Sequence, residues 1–247
     1  RLLIAMIVVS LAISGSFLRD LAALHVCINS EDVMKNREEL SKELNMPIEN
    51  WCLPWQKHTA NLQQVYKGDR GKGAFDKDTS IMNVDGVYTT DSNVLIGVFT
   101  ADCVGLLLVD ETTPCIATIH SGWKGTVQAI TKKGIDELLD KGLMHPETTH
   151  AYFSPSILFD SLEVGMEVVE QIKQLPFDVE PFIRYMPNEK AYIDNQGLNM
   201  QMLLNAGVPK ENIHLSTLDT KKELETCFSY RVDGKKTGEH FTFAYIK

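Results

Sequence analysis

The sequence predicts an α/β fold in a single domain spanning residues 1–247, and three observations carry that expectation. Apolar runs of strand length alternate with segments whose apolar residues recur at helical spacing. No Gly/Ser-rich or Pro-rich linker divides the chain, and no repeat with a period of about 20–50 residues is present. Hydrophobic residues make up 44% and charged residues 23% of 247 positions, ordinary globular usage in a chain long enough to bury a sizeable core.

The elements follow in order. Arg1 precedes an apolar run over residues 2–13, broken only by Ser10 and followed by Ser14-Gly15-Ser16. That pattern also fits a secretory leader. It is shorter than the about 20 residues needed to cross a bilayer, and we read it as a buried strand turning at Gly15. A helix is predicted over residues 30–44. Ser30 can cap it, Glu31 and Asp32 suit its positive end, and Val33, Leu40 and Leu44 give an apolar stripe. Residues 68–78 hold three glycines and many charges and read as an exposed loop. Residues 94–100, 104–109 and 115–120 read as strands covered on both faces. Helical spacing then runs over 126–139, and further helices are expected over 163–175 and 198–205, the last ending at Gly207 before Pro209. Residues 213–216 and 241–246 complete the strands.

Composition narrows the function. A net charge of -9 with no Lys/Arg-rich run argues against nucleic acid as a partner, and no basic amphipathic helix points to a membrane. The five cysteines are odd in number, scattered and without a CxxC pair, so they read as reduced thiols of a cytoplasmic protein. Neither GxGxxG nor GxxxxGK[ST] occurs.

The densest chemistry lies between Val84 and Gly125. Thr100-Ala101-Asp102-Cys103 sits between two strand runs, and His120-Ser121-Gly122-Trp123-Lys124-Gly125 joins a strand to a helix. α/β proteins place reactive groups at such strand ends, and backbone N–H groups of the helix after Gly125 would favour an anion. Cysteine with histidine suggests either of two chemistries. A catalytic zinc takes three protein ligands from thiolate and imidazole and keeps a fourth position open. Alternatively, Cys103 is a nucleophile with His120 as its base. The residues alone do not choose among the histidines. His25, His145, His150, His214 and His240 read as surface or core residues, Cys115 as core, and Cys27, Cys52 and Cys227 as without a role. Asp85 reads as part of a turn. Asp102 reads as a turn-stabilising carboxylate facing away from Cys103, because neighbouring strand residues alternate faces.

At these residues the chain resembles the YfiH or laccase-domain family of bacterial purine nucleoside phosphorylases, also labelled polyphenol oxidases. Gln56-Lys57-His58, Ala101-Asp102-Cys103 and His120-Ser121-Gly122-Trp123-Lys124-Gly125 carry the resemblance, the last similar to the family's His-Ala-Gly-Trp-Arg-Gly. Val84-Asp85-Gly86, Asn36-Arg37, Ala206-Gly207-Val208-Pro209 and Phe228-Ser229-Tyr230-Arg231 support it in family order. The resemblance implies two packed mixed β-layers flanked by helices, a four-layer α-β-β-α sandwich. It implies His58, Cys103 and His120 as catalytic zinc ligands, with copper a less favoured occupant. It also implies phosphorolysis of adenosine, inosine and methylthioadenosine, with adenosine deamination beside it, in a monomer or homodimer. Lys124 and Arg231 are the residues assigned to substrate or phosphate. The chain departs from the family at Thr59, Lys124, Asp219, Val232 and Glu239, where the family has Gly, Arg, Cys, Arg and Arg. The lost basic positions motivate a second reading, a non-catalytic zinc-binding paralogue, beside the cysteine hydrolase.

Overall fold

The structure, a computed structural model, describes residues 4–5 and 30–247. It begins with β1 (Ile4–Ala5), α1 (Ser30–Leu44), β2 (Trp51–Cys52), β3 (Leu62–Gln64), β4 (Gly86–Thr89), β5 (Leu95–Thr100), β6 (Val104–Asp110) and β7 (Ile116–Ser121). The chain continues through α2 (Trp123–Val127), α3 (Ile130–Asp140), β8 (Thr149–Phe153), β9 (Glu163–Gly165) and α4 (Met166–Ile172). It ends with β10 (Ile183–Met186), β11 (Lys190–Ile193), α5 (Asn195–Asn205), β12 (Ile213–His214), α6 (Tyr230–Asp233) and β13 (His240–Ile246).

Alternation along the central strands builds the layers. In β5, Leu95 and Phe99 face one side and Ile96 the other, because successive residues of a strand point to opposite faces. The order β1-β13-β5-β2 forms one mixed sheet, and β12-β8-β6-β7-β4-β3 forms a second. Ile96, Ala244 and Ile246 of the first pack against Leu107, Val109 and Ile116 of the second. On the outer face of the first sheet, Phe99, Phe241 and Phe243 meet Leu40 of α1. On the outer face of the second, Leu106, Leu108 and Ile119 meet Ile135 of α3 and Leu203 of α5. The layers are therefore helix, sheet, sheet, helix, as the resemblance implied. Strands buried on both faces explain the unbroken apolar runs, and each fully buried Leu or Ile contributes about 1.5–3 kcal/mol relative to exposure.

Several elements differ from the sequence expectation. The helical pattern over 126–139 is two helices, because Ala129 takes a left-handed conformation (φ 58°, ψ 43°) between α2 and α3. The first of them starts at Trp123, ahead of Gly125, and has five residues. Residues 163–165 are a strand, and the helix after them spans Met166–Ile172. That strand belongs to a small antiparallel sheet, β10-β11-β9, which the sequence did not reveal. Its strands carry Arg184, Tyr185 and Lys190 at exposed positions and so lack an apolar run. The loop over 68–78 is only partly exposed, since Ala74 is buried and the buried Arg37 guanidinium donates to the carbonyls of Gly73 (2.9 Å) and Ala74 (2.6 Å). Of the apolar N-terminal run, Ile4–Ala5 pairs antiparallel with β13 at Tyr245 and Ile246. The rest of that run, His25 and Cys27 lie outside the described residues. No described helix is long and apolar enough to cross a membrane.

Candidate metal centre and its cleft

Two loops and the end of a strand converge at one place. Cys103 lies in the turn from β5 to β6, His120 is near the end of β7, and His58 lies on the loop between β2 and β3. One candidate ligand atom from each lies within 4.8 Å of the others, and the imidazoles of His58 and His120 meet edge-on at 4.8 Å between centroids. Among the described residues, this is the one cluster of at least three His, Cys, Asp or Glu side chains arranged to hold a metal.

Asp85, read from sequence as a turn residue, organises this cluster. Its side chain is fully buried just ahead of β4. Oδ1 accepts from the His58 backbone N–H (2.9 Å) and lies 2.8 Å from His120 Nδ1. Oδ2 accepts from the N–H groups of Lys57 (3.1 Å) and Thr59 (2.7 Å) and from the Thr59 hydroxyl (2.8 Å). The Thr59 hydroxyl thus adds a side-chain donor. These bonds hold His58 at φ 58°, a left-handed conformation that costs a non-glycine residue about 1–3 kcal/mol. Fixing His120 Nδ1 on a carboxylate leaves Nε2 to face Cys103, the usual support for a metal-bound imidazole.

Electrostatics separates Cys103 from the other described cysteines. Burial pushes Cys52 and Cys115 up to about 12 and raises Cys227. Burial acts on Cys103 in the same direction, but the charge and hydrogen bond of His120, helped by His58, bring its pKa down to about 6. Burial lowers His120, yet Cys103 and Asp85 together raise it to about 10. Asp85 is itself held at about 2: burial raises it, and the His120 and Thr59 contacts outweigh that. A thiolate and two imidazoles converging on one point are a donor set that suits zinc with an open fourth position. In the metal-free protein, iodoacetamide should modify Cys103 with a midpoint near pH 6. Loaded protein should resist modification, and His120→Ala should move the midpoint upward. Equal reactivity with and without chelator would favour a free nucleophile instead.

The centre opens into a cleft of about 340 Å³. Gly122 belongs to both. A Cβ placed there would stand 2.7 Å from Cys103 Sγ and 3.1 Å from His58 Cδ2, so only glycine leaves both candidate ligands in place. The cleft is also lined by Trp123, Lys124, Asn195, Ile157, Leu162, Tyr230 and Arg231. Lys124 and Arg231, the two sequence candidates for anion binding, therefore share the cleft with His58 and Cys103, and Arg231 also donates to the Glu163 carbonyl at 3.1 Å. Asp102 faces the cleft beside Cys103 instead of pointing away, because Ala101-Asp102-Cys103 is a turn with Asp102 at φ 77°. His145, His150 and His214 lie apart from the cleft, and His240 is buried in β13.

Residues 17–247 match the family described as multi-copper polyphenol oxidoreductase laccase. The chain is 32% identical over 224 residues to the purine nucleoside phosphorylase YlmD of Bacillus subtilis (strain 168), covering 91% of this chain and 81% of that protein. It is 33% identical over 216 residues to the adenosine deaminase RL5 of an unknown prokaryotic organism, covering 87% and 82%. The crystal structure of YlmD from Geobacillus stearothermophilus superposes with a TM-score of 0.89 at 31% identity, over 95% of this chain and 88% of that one. The crystal structure of the Bacillus licheniformis hypothetical protein YfiH gives 0.89 at 29% identity, over 94% and 86%.

Proposed function

Because the chain belongs to the multi-copper polyphenol oxidoreductase laccase family, whose relatives here are named for purine nucleoside chemistry, we propose a single-domain zinc-dependent purine nucleoside phosphorylase with adenosine deaminase activity. The observation that carries this reading is the His58–Cys103–His120 cluster, two members of which line a cleft that also holds Lys124, Arg231, Trp123 and Tyr230. His58, Cys103 and His120 would hold the ion. Zinc bound there would supply Lewis-acid polarisation of a substrate atom or water at its open position.

The chain's own residues account for the remaining work. Asp85 stays ionised and fixes the orientation of His120. Trp123 and the half-exposed Tyr230 offer flat apolar faces to a purine. Lys124 and Arg231 would supply cationic donors to the phosphate that attacks the ribose carbon as the base leaves. Lys124 replaces the family's arginine and offers a point charge without a bidentate fork, which weakens phosphate positioning more than phosphate attraction. Zinc is favoured over copper because the described residues supply one three-ligand cluster, whereas a multicopper centre needs ligands for several ions.

Chromatographic product analysis of zinc-loaded protein with adenosine, with and without phosphate, tests the reading. Adenine and ribose 1-phosphate formed only with phosphate are expected, with inosine as the deamination product. His120→Ala should lose zinc and turnover together. Turnover by a metal-free variant overturns the zinc reading. Zinc in place with no product from adenosine, inosine or methylthioadenosine replaces it with the zinc-binding paralogue.

A further inference from the structure

Three segments far apart in sequence, two of which line the cleft, all bond to Asp102. Its backbone carbonyl accepts from the Ile157 N–H at 2.9 Å. Its Oδ1 accepts from the hydroxyls of Thr220 and Ser229, both at 2.7 Å. Its Oδ2 accepts from the Arg231 N–H at 2.6 Å. Ile157, Tyr230 and Arg231 all face the cleft. A second tether lies just upstream, where His240 Nε2 accepts from the Phe228 N–H at 3.2 Å. That fixes the proton of His240 on Nδ1, which donates to the Thr100 carbonyl at 3.1 Å.

We propose that Asp102 is a positioning residue that holds the Ser229–Arg231 strap, and with it the substrate-facing wall, in place over the cleft, without acting on the substrate itself. The inference rests on the reading of this cleft as a nucleoside site. Two observations carry it. Three of the about four lone-pair sites of the carboxylate are taken by Thr220, Ser229 and Arg231, so the group is committed to the strap and its neighbour. The residue also sits at φ 77°, where a non-glycine residue is strained. Such strain persists only where surrounding bonds over-determine it, and it concentrates at functional sites. An aspartate there trades local strain for a carboxylate that no glycine could supply.

Asp102→Gly separates the two roles, because glycine relieves the backbone and removes only the carboxylate. Asp102→Asn is the milder companion, since its amide presents an N–H group to one of the three donors. The measurements are amide exchange of the peptide containing residues 228–231, zinc stoichiometry, and KM and kcat for adenosine. Asp102→Gly should speed exchange of the Arg231 amide by roughly tenfold or more. KM should rise by about tenfold, with kcat changed less than about threefold. Zinc should stay bound, and Asp102→Asn should fall between the two. Unchanged exchange and KM overturn the proposal. So does a fall in kcat at constant KM, which would make Asp102 a catalytic residue, and so does loss of zinc, which would make it a support of Cys103. If wild-type protein turns over no purine nucleoside, the functional reading fails separately, and the exchange result alone decides whether Asp102 orders the strap.

Discussion

Asp85→Ala should weaken zinc binding by about 10–100-fold, the usual effect of removing a carboxylate behind a metal-bound histidine. It should also destabilise the protein by on the order of 3–5 kcal/mol, as expected when one partner of a buried charged pair is deleted. Both effects come from one group. The carboxylate receives the backbone N–H groups of Lys57, His58 and Thr59, the Thr59 hydroxyl and His120 Nδ1. Without it, His58 loses the bonds that hold its left-handed backbone, and the buried His120 loses its orienting partner. Asp85→Asn keeps the volume but offers one accepting oxygen to five donors, so its metal affinity should lie between those of wild type and the alanine variant. Competition with a chromophoric chelator reads the affinity, and urea unfolding of the metal-free protein reads the stability. Zinc binding at wild-type strength in Asp85→Ala would show that the loop holds His58 without this residue.

The central strands were legible in the sequence because they are buried on both faces, whereas their stacking into a sandwich came only through the resemblance. Residues 94–100 and 104–109 read as unbroken apolar runs, and the observed β5 and β6 differ from them by one residue each. The first helix was equally legible, since Ser30, Glu31 and Asp32 mark its start and the apolar stripe its length. The break at Ala129 was not. Helical periodicity continues across it, and alanine is a poor signal for a left-handed residue, so tertiary packing decides that conformation. The small third sheet was hidden for the opposite reason: its exposed Arg, Tyr and Lys side chains suppress the alternation that marks a half-buried strand.

The candidate centre shows a similar division. Cys103 and His120 stood out as a thiol and an imidazole at strand ends, a local signal. His58 came only through resemblance, because it lies on a loop without regular pattern. Asp85 was visible as an Asp-Gly pair, but its role depends on bonds to residues 26 to 35 positions away. Nothing in spacing could report them. Asp102 was misplaced by applying strand alternation to a turn, and its φ of 77° is what brings it to the cleft beside the ligand that follows it.

Gly122→Ala should abolish most activity, by about 100-fold or more, while leaving the fold of the metal-free protein nearly intact. The backbone at Gly122 has φ -71° and ψ 171°, an extended conformation open to any residue, so the added methyl group brings no backbone strain. Its cost is confined to the site, where the new Cβ would stand 2.7 Å from Cys103 Sγ and 3.1 Å from the His58 ring. One is a candidate ligand atom and the other belongs to a candidate ligand ring. Neither can retreat without leaving the common point that a metal requires. Linkage makes this measurable without turnover. At zinc a thousandfold above its dissociation constant, wild type gains about 4 kcal/mol, and a variant binding 100-fold more weakly gains only about 1.4 kcal/mol. Melting with and without zinc therefore separates a damaged site from a damaged fold. A variant that melts normally without zinc and loses the zinc-dependent gain places the defect at the ligands. One that keeps the full gain would show that Cys103 and His58 can shift together and still bind, and the close fit around Gly122 would then have no part in metal binding.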